Sequence, residues 1–278
     1  MSRTIRVAHS PDSDDAFMFY ALAEGKIDTG DLEFAHQLED IETLNRRALA
    51  GELEVTAASI HAYAYLTQRY LLLPHGASMG EGYGPRVVAR KRLHPEELAG
   101  LTVAVPGELT SAFLALLLYE PEVETEVVPF AEIIDYVAAG EADAGVLIHE
   151  GQLTYGEHGL HRVLDLGEWW AEQTGGLPLP LGGNLVRRDL GAELIGEVSR
   201  LLRASIAYGL EHRPAALAHA AAYGRGLDAV QTDEFVGMYV NRRTLDYGDD
   251  GRRAVQLFLD RGHDAGIIPH RVTVEFAD

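Results

Sequence analysis

Gly76-Ala77-Ser78-Met79-Gly80-Glu81-Gly82-Tyr83-Gly84-Pro85 is the stretch on which the fold turns. Its four glycines and one proline break any helix that would run through it. On its N-terminal side, strand and helix signals alternate. Ile5–His9 reads as a strand, Pro11–Asp15 as a turn, and Ala16–Glu24 as a helix stopped by Gly25. Leu32–Leu38 is a second strand. Asp40 caps a helix whose apolar positions Ile41, Leu44, Ala48 and Leu49 lie at helical spacing. Leu53–Ala57 is a third strand, and Ser59 caps a helix to Tyr70. This βαβαβα order implies a largely parallel sheet with ligands at its strand C-termini.

Beyond the break, Arg86–Arg90 is extended and the alternation restarts. Pro95 begins a short helix. Thr102–Val105, Thr125–Val128 and Ala144–Ile148 read as strands, Thr110–Tyr119 and Ala131–Ala139 as helices. A second extended segment, Leu181–Arg187, follows the Pro178–Pro180 break. The rest is helical: Leu194, Ile195, Val198, Leu201, Leu202 and Ile206 form one apolar stripe, and helices are expected near 215–223, 233–241 and 251–261. Two βα units joined by two extended crossings predict an α/β protein of two lobes with a central cleft and a hinge at the crossings. The first lobe is expected to hold residues 1–86 and 187–278, the second residues 87–186.

Composition narrows the function. The 278 residues are 47% apolar and 24% charged, enough for a sizeable core. Lys plus Arg total 23 against 43 Asp plus Glu, a net charge of −20. That opposes nucleic acid and anionic membrane surfaces as partners. Only Lys26 and Lys91 could form a Schiff base, and there is no cysteine for thiol chemistry, disulfides or thiolate metal sites. Met1–Val7 lacks the apolar run of a signal peptide, and the longest apolar runs, such as Phe113–Tyr119, are too short to span a bilayer. A cytoplasmic location is expected.

Several motifs invite chemistry, each beside a plainer reading. Gly76-Ala77-Ser78-Met79-Gly80 fits a nucleophile elbow, but the glycines deny Ser78 its helix. Asp12, Asp14 and Asp15 could bind a hard cation, yet acids before a helix also serve as caps, and the calcium-loop spacing fails at Ala16 and Phe17. His149-Glu150 starts like a zinc helix but has Leu153 where the second ligand belongs; His158 and His161 are separated by Gly159. No metal or other cofactor is expected. His149 itself ends a buried strand, where α/β sites keep proton-transfer groups; a structural histidine is the plain alternative. Thr110-Ser111-Ala112 opens a helix after a strand, a position that suits an anion or serves as a simple cap; Ser59 holds the equivalent place in the first lobe. Trp169 and Trp170 either line an aromatic pocket or pack.

Five segments taken together, Ser10–Tyr20, Asp40–Asn45, Val103–Gly107 with Thr110-Ser111, Leu147–Tyr155 and Leu177–Gly182, resemble the 1,4-dihydroxy-6-naphthoate synthases of the futalosine route to menaquinone. The likeness runs in the same order over most of the chain. It implies a type II periplasmic-binding-protein-like fold and a cofactor-free carbon–carbon lyase that converts cyclic dehypoxanthinyl futalosine to 1,4-dihydroxy-6-naphthoate. It makes His149 the proton acceptor. It assigns substrate contact to Ala57, Ala58 and Ser59 and to Thr110, Ser111 and Ala112; the place of the acidic turn at a strand C-terminus adds Ser10, Asp12 and Asp14 as expected substrate contacts. The chain departs from the family's common Ser-Pro-Cys-Pro-Asn-Asp-Thr at Ser10–Ala16, and has Ala57 where a lysine is frequent. The expected partner is a small carboxylate-bearing substrate. Two alternatives stand beside this reading: a solute-binding protein of the same fold, and chorismate dehydratase of the same pathway.

Overall fold

A computed structural model of the chain describes residues 2–224 and 226–278. Met1, at the head of the charged N-terminal stretch, lies outside the described residues. The first part runs β1 (Arg3–His9), α1 (Ser13–Ala23), β2 (Leu32–Leu38), α2 (Ile41–Ala50), β3 (Val55–Ser59), α3 (Ile60–Tyr63), β4 (Tyr70–Leu72) and β5 (Ser78–Gly80). The second runs β6 (Arg86–Ala89), β7 (Thr102–Val105), α4 (Ser111–Tyr119), β8 (Glu124–Val127), α5 (Ile133–Ala139), β9 (Ala144–Leu147), α6 (Gly151–Thr154), β10 (His161–Asp165) and α7 (Leu166–Thr174). The chain returns through β11 (Leu179–Arg187) and ends in α8 (Ala192–Glu211), α9 (Arg213–Ala220), α10 (Ala229–Tyr239), α11 (Arg242–Leu245) and α12 (Gly248–Asp264).

These elements build two lobes, each around one sheet. The first sheet has the order β2-β1-β3-β11-β4, with β5 also paired to β11; the second has the order β10-β6-β9-β7-β8. Both have a parallel centre. β1 pairs in parallel with β2 and β3, and β7 with β8 and β9. Each also holds an antiparallel strand laid down just after the chain crosses between lobes: β6 against β9 and β10 on the way out, β11 against β3, β4 and β5 on the way back.

The expected lobe limits cut through β11. Its ladder, from Gly182 opposite Ser59 to Val186 opposite Val55, puts the whole strand in the first sheet rather than ending a second lobe at residue 186. Arg86, expected at the end of the first lobe, pairs with Leu147 in the second sheet. The physical reason is backbone satisfaction. The free edge of β3 needs a partner along its length, and the returning strand supplies it.

Local details follow the sequence chemistry. Asp40 Oδ1 accepts from Thr43 N–H at 3.0 Å and caps α2, which ends at Gly51 in the left-handed region. The α8 stripe is buried as its spacing requires. The helix expected from Ser59 to Tyr70 is instead one α-helical turn. After Tyr63 the backbone tightens to bonds such as Leu66 N–H to Tyr63 O and enters β4 at Tyr70. In the glycine-rich break, a Cβ at Gly80 would lie 1.9 Å from the Tyr83 carbonyl oxygen. The turn therefore closes only over glycine. Ser78 sits on a strand, which removes the elbow reading. Trp170 is fully buried against Phe258 and donates to Pro178 O at 3.0 Å; it packs the core and is not a pocket wall.

Candidate active site

The cleft between the lobes holds a pocket open to solvent, about 760 Å³ of empty space when the solvent at its mouth is included. Ser10, Asp12, Asp14, Ala57, Ala58, Ser59, Thr110, Ser111 and Ala112, the residues expected to touch substrate, all line it. The parallel sheets explain the convergence: β1, β3 and β7 each end at the cleft, and the loops that follow them carry these side chains.

The loop after β1 forms an acidic end. Ser10 N–H donates to Asp15 Oδ2 at 2.7 Å, and Ser10 Oγ donates to Asp12 Oδ2 at 2.5 Å. Asp12 is the residue before α1, but its side chain makes no cap bond, so the capping reading fails for it. Asp14 faces the cleft and is partly exposed to it. Burial, together with the charges of Asp15, Asp12 and Glu150, raises its carboxyl well above the usual range. Burial likewise lifts Asp15 to about 7, against the lowering effect of the Ser10 N–H bond. Asp15 can therefore hold or exchange a proton near neutral pH. Among the described residues, no group of three or more His, Asp or Glu side chains is placed to hold a metal ion.

The loop after β7 forms a neutral end. Thr110 Oγ1 accepts from Phe113 N–H at 3.2 Å and donates to Gly107 O at 2.8 Å. Ser111 Oγ donates to Leu181 O at 2.5 Å and accepts from His61 N–H at 3.2 Å. Both hydroxyls thus serve the backbone, and the anion-binding capacity expected of them passes to the first-turn amides of α4. Across the cleft, Ser59 does not cap α3. Its N–H donates to Asn45 Oδ1 at 2.9 Å and its Oγ accepts from Asn45 Nδ2 at 3.1 Å, leaving the hydroxyl proton to donate to a ligand.

His149 is not on the cavity wall. Ile148 lines the cleft, whereas His149, at the bend just past β9, turns its ring to the backbone at Phe130 and Gly151. It is 7% exposed. Its Nε2 lies 2.9 Å from Phe130 O, and Gly151 N–H donates to its Nδ1 at 2.9 Å. This pairing fixes a neutral ring with the proton on Nε2. The Glu150 carboxylate is 3.9 Å from Nδ1 and accepts from Ser13 N–H and Oγ on the opposite lobe.

Other contacts also tie the lobes together. Leu109 N–H donates to Glu42 Oε2 at 3.2 Å, and Tyr239 Oη to Gln152 Oε1 at 2.9 Å. His61 Nδ1 stands 3.3 Å from Thr110 O, and burial lowers its pKa to about 4. The sequence reading missed Tyr239 and Asn184 outright. Asn184 had a usable signal: one amide in an otherwise apolar extended run, directly after Gly182-Gly183. Tyr239 had none, since it looks like any aromatic on a packed helix.

Against this geometry, the menaquinone biosynthesis family matches residues 5–264. A 1,4-dihydroxy-6-naphthoate synthase from Thermus thermophilus is 45% identical over 257 residues, covering 92% of this chain and 93% of that one. One from Streptomyces coelicolor is 37% identical over 275 residues, covering 96% and 95%. A crystal structure of a protein from Archaeoglobus fulgidus superposes with a TM-score of 0.91 at 48% identity, covering 95% of this chain and 98% of that one. The alkanesulfonate-binding protein of Xanthomonas axonopodis pv. citri superposes with a TM-score of 0.72 at 13% identity, covering 99% and 97%, which shows the periplasmic-binding-protein fold and no more. A two-lobe fold, a cleft at the strand ends and near-full-length identity to two synthases lead to one assignment: the chain belongs to the menaquinone biosynthesis family.

Proposed function

We propose that the chain is a lyase that converts cyclic dehypoxanthinyl futalosine to 1,4-dihydroxy-6-naphthoate. The observation that carries this is the 45% identity to a named synthase over 92% of the chain. The cleft suits such a substrate chemically. Its neutral donors, the α4 amides and the Ser59 hydroxyl, fit an aromatic carboxylate. The acidic end, at Asp12 and Asp14, fits the hydroxyls of a sugar-derived ring, which donate to carboxylates. The substrate is therefore read as a small carboxylate-bearing molecule, and the compartment as the cytoplasm.

His149 is proposed as the base. In the form described its Nδ1 holds the Gly151 N–H, so taking a proton requires that bond to open. Rotation of the side chain past Ile148 would bring the ring to the cleft in exchange for its two backbone bonds. The neutral tautomer supports the assignment, because a base must arrive unprotonated. Loss of a proton from the sugar-derived part would then lead to carbon–carbon cleavage, driven by formation of the aromatic dihydroxynaphthoate. No residue of the chain is asked to form a covalent intermediate.

The test is incubation of the purified protein with cyclic dehypoxanthinyl futalosine, with chromatographic detection of 1,4-dihydroxy-6-naphthoate. Multiple turnover is expected. Tight binding without product would overturn the lyase reading in favour of a solute-binding protein.

A further inference from the structure

Asn184 carries a buried amide that the fold leaves unpaired. It sits on β11 opposite Ala57, is 1% exposed, and lines the cleft. Its Nδ2 has no hydrogen-bond partner among the described residues. A buried donor without an acceptor is costly and rare, so its retention calls for a ligand oxygen. Gly76, also on the cavity wall, makes the room in which the amide sits: a Cβ there would lie 2.1 Å from Nδ2. Among the described residues, no Lys, Arg or His lines the cavity, so an anion bound in it must be held by neutral donors. The acidic end at Asp12, Asp14 and Asp15 offers an anion no cation to pair with. On the same strand as Asn184, Gly182 pairs with Ser59 and Leu181 O holds Ser111, so the donor side of the cleft is assembled on β11.

We infer that Asn184 is a specificity-determining residue whose Nδ2 donates to the carboxylate of the substrate, as the neutral replacement for a cation in this cleft. The inference rests on the proposed lyase reading for the identity of the substrate. It adds to that reading the group that recognises the carboxylate.

The test uses Asn184→Ala and Asn184→Asp in the full chain, with two probes: 2-naphthoate, and 2-naphthamide as its uncharged counterpart. Turnover of cyclic dehypoxanthinyl futalosine is measured alongside. Loss of a hydrogen bond to a charged group predicts 2-naphthoate binding weaker by about 10–100-fold in Asn184→Ala. The loss in Asn184→Asp is expected to be greater, because a second anion faces the first. Naphthamide binding should weaken less, by about 2–10-fold in the alanine variant, since a neutral amide loses only an ordinary hydrogen bond. KM should rise with the naphthoate Kd while kcat stays within a few-fold. Unchanged naphthoate binding in both folded variants overturns the inference. So does an equal loss for both probes, which would make Asn184 a general packing residue. If the wild type binds 2-naphthoate through Asn184 yet never turns over the futalosine, the lyase reading fails while the carboxylate contact stands.

Discussion

The starts of α1 and α4 occupy equivalent places, each just after a strand at the centre of its lobe's parallel ladder, yet they have opposite chemistry. At α4, Thr110 caps the helix with its hydroxyl, and the first turn carries no acidic residue. At α1, Asp12 turns its carboxylate to Ser10 instead of the helix, and Asp14 and Asp15 occupy the first turn. A helix N-terminus attracts anions in both cases. At α4 that attraction remains for a ligand. At α1 it is taken up by the chain's own acids, crowded and buried enough that two of them sit well above normal carboxylate pKa values. Topology alone thus does not fix what a strand end binds. The side chains of the first turn decide it, and here they give the cleft one neutral, donor-rich end and one acidic end.

The largest expected effect asks whether proton chemistry belongs to the acidic end or to the second lobe's histidine. If His149 is the base, His149→Asn should lower turnover by about 10²–10⁴-fold with product affinity nearly unchanged. Turnover within a few-fold of wild type would move the base to Asp14 or Asp15 and break the division of labour.

The next effect is on stability at the α1 start. Burial lifts Asp15 to about 7, above the ~4 of an unfolded aspartate. The folded form then binds the proton more tightly. Asp15's favourable contribution is fully present below about pH 4 and is lost as pH rises through about 7. Asp15→Asn removes this dependence. In urea titrations, the variant should gain on the wild type by about 1–3 kcal/mol between pH 4.5 and pH 8. A pH-independent difference would contradict the origin assigned to the shift.

The smallest effect is at α4. Thr110→Ala removes one cap and should cost about 1 kcal/mol of stability, read by thermal unfolding, with kcat little changed. A large loss of kcat with no loss of stability would show that the hydroxyl serves the substrate and not the helix.

Much of this was legible in the sequence, for identifiable reasons. The α8 stripe and the Asp40–Gly51 limits of α2 follow from periodicity and capping, which are local. The glycine-rich break at 76–85 marked the crossing between lobes for the same reason. The sheet to which β11 belongs was not legible, because a strand's partner is set by an unpaired edge more than a hundred residues away in sequence. Nor was the direction of His149, which depends on whether Ile148 or its neighbour faces the cleft. The nine expected contact residues do converge, since strand ends meet in this fold. That the hydroxyls of Thr110 and Ser111 are already engaged was beyond sequence reasoning, because their acceptors, Gly107 O and Leu181 O, are placed by the folded backbone.

The most direct test of the two-ended cleft is a crystal structure of the protein with 1,4-dihydroxy-6-naphthoate bound. The product is expected between the lobes, its carboxylate within hydrogen-bond distance of Asn184 Nδ2 on the donor side and its dihydroxy ring toward Asp14. A product bound in the reverse sense, with its carboxylate against Asp12 and Asp14, or bound outside the cleft, would refute that polarity.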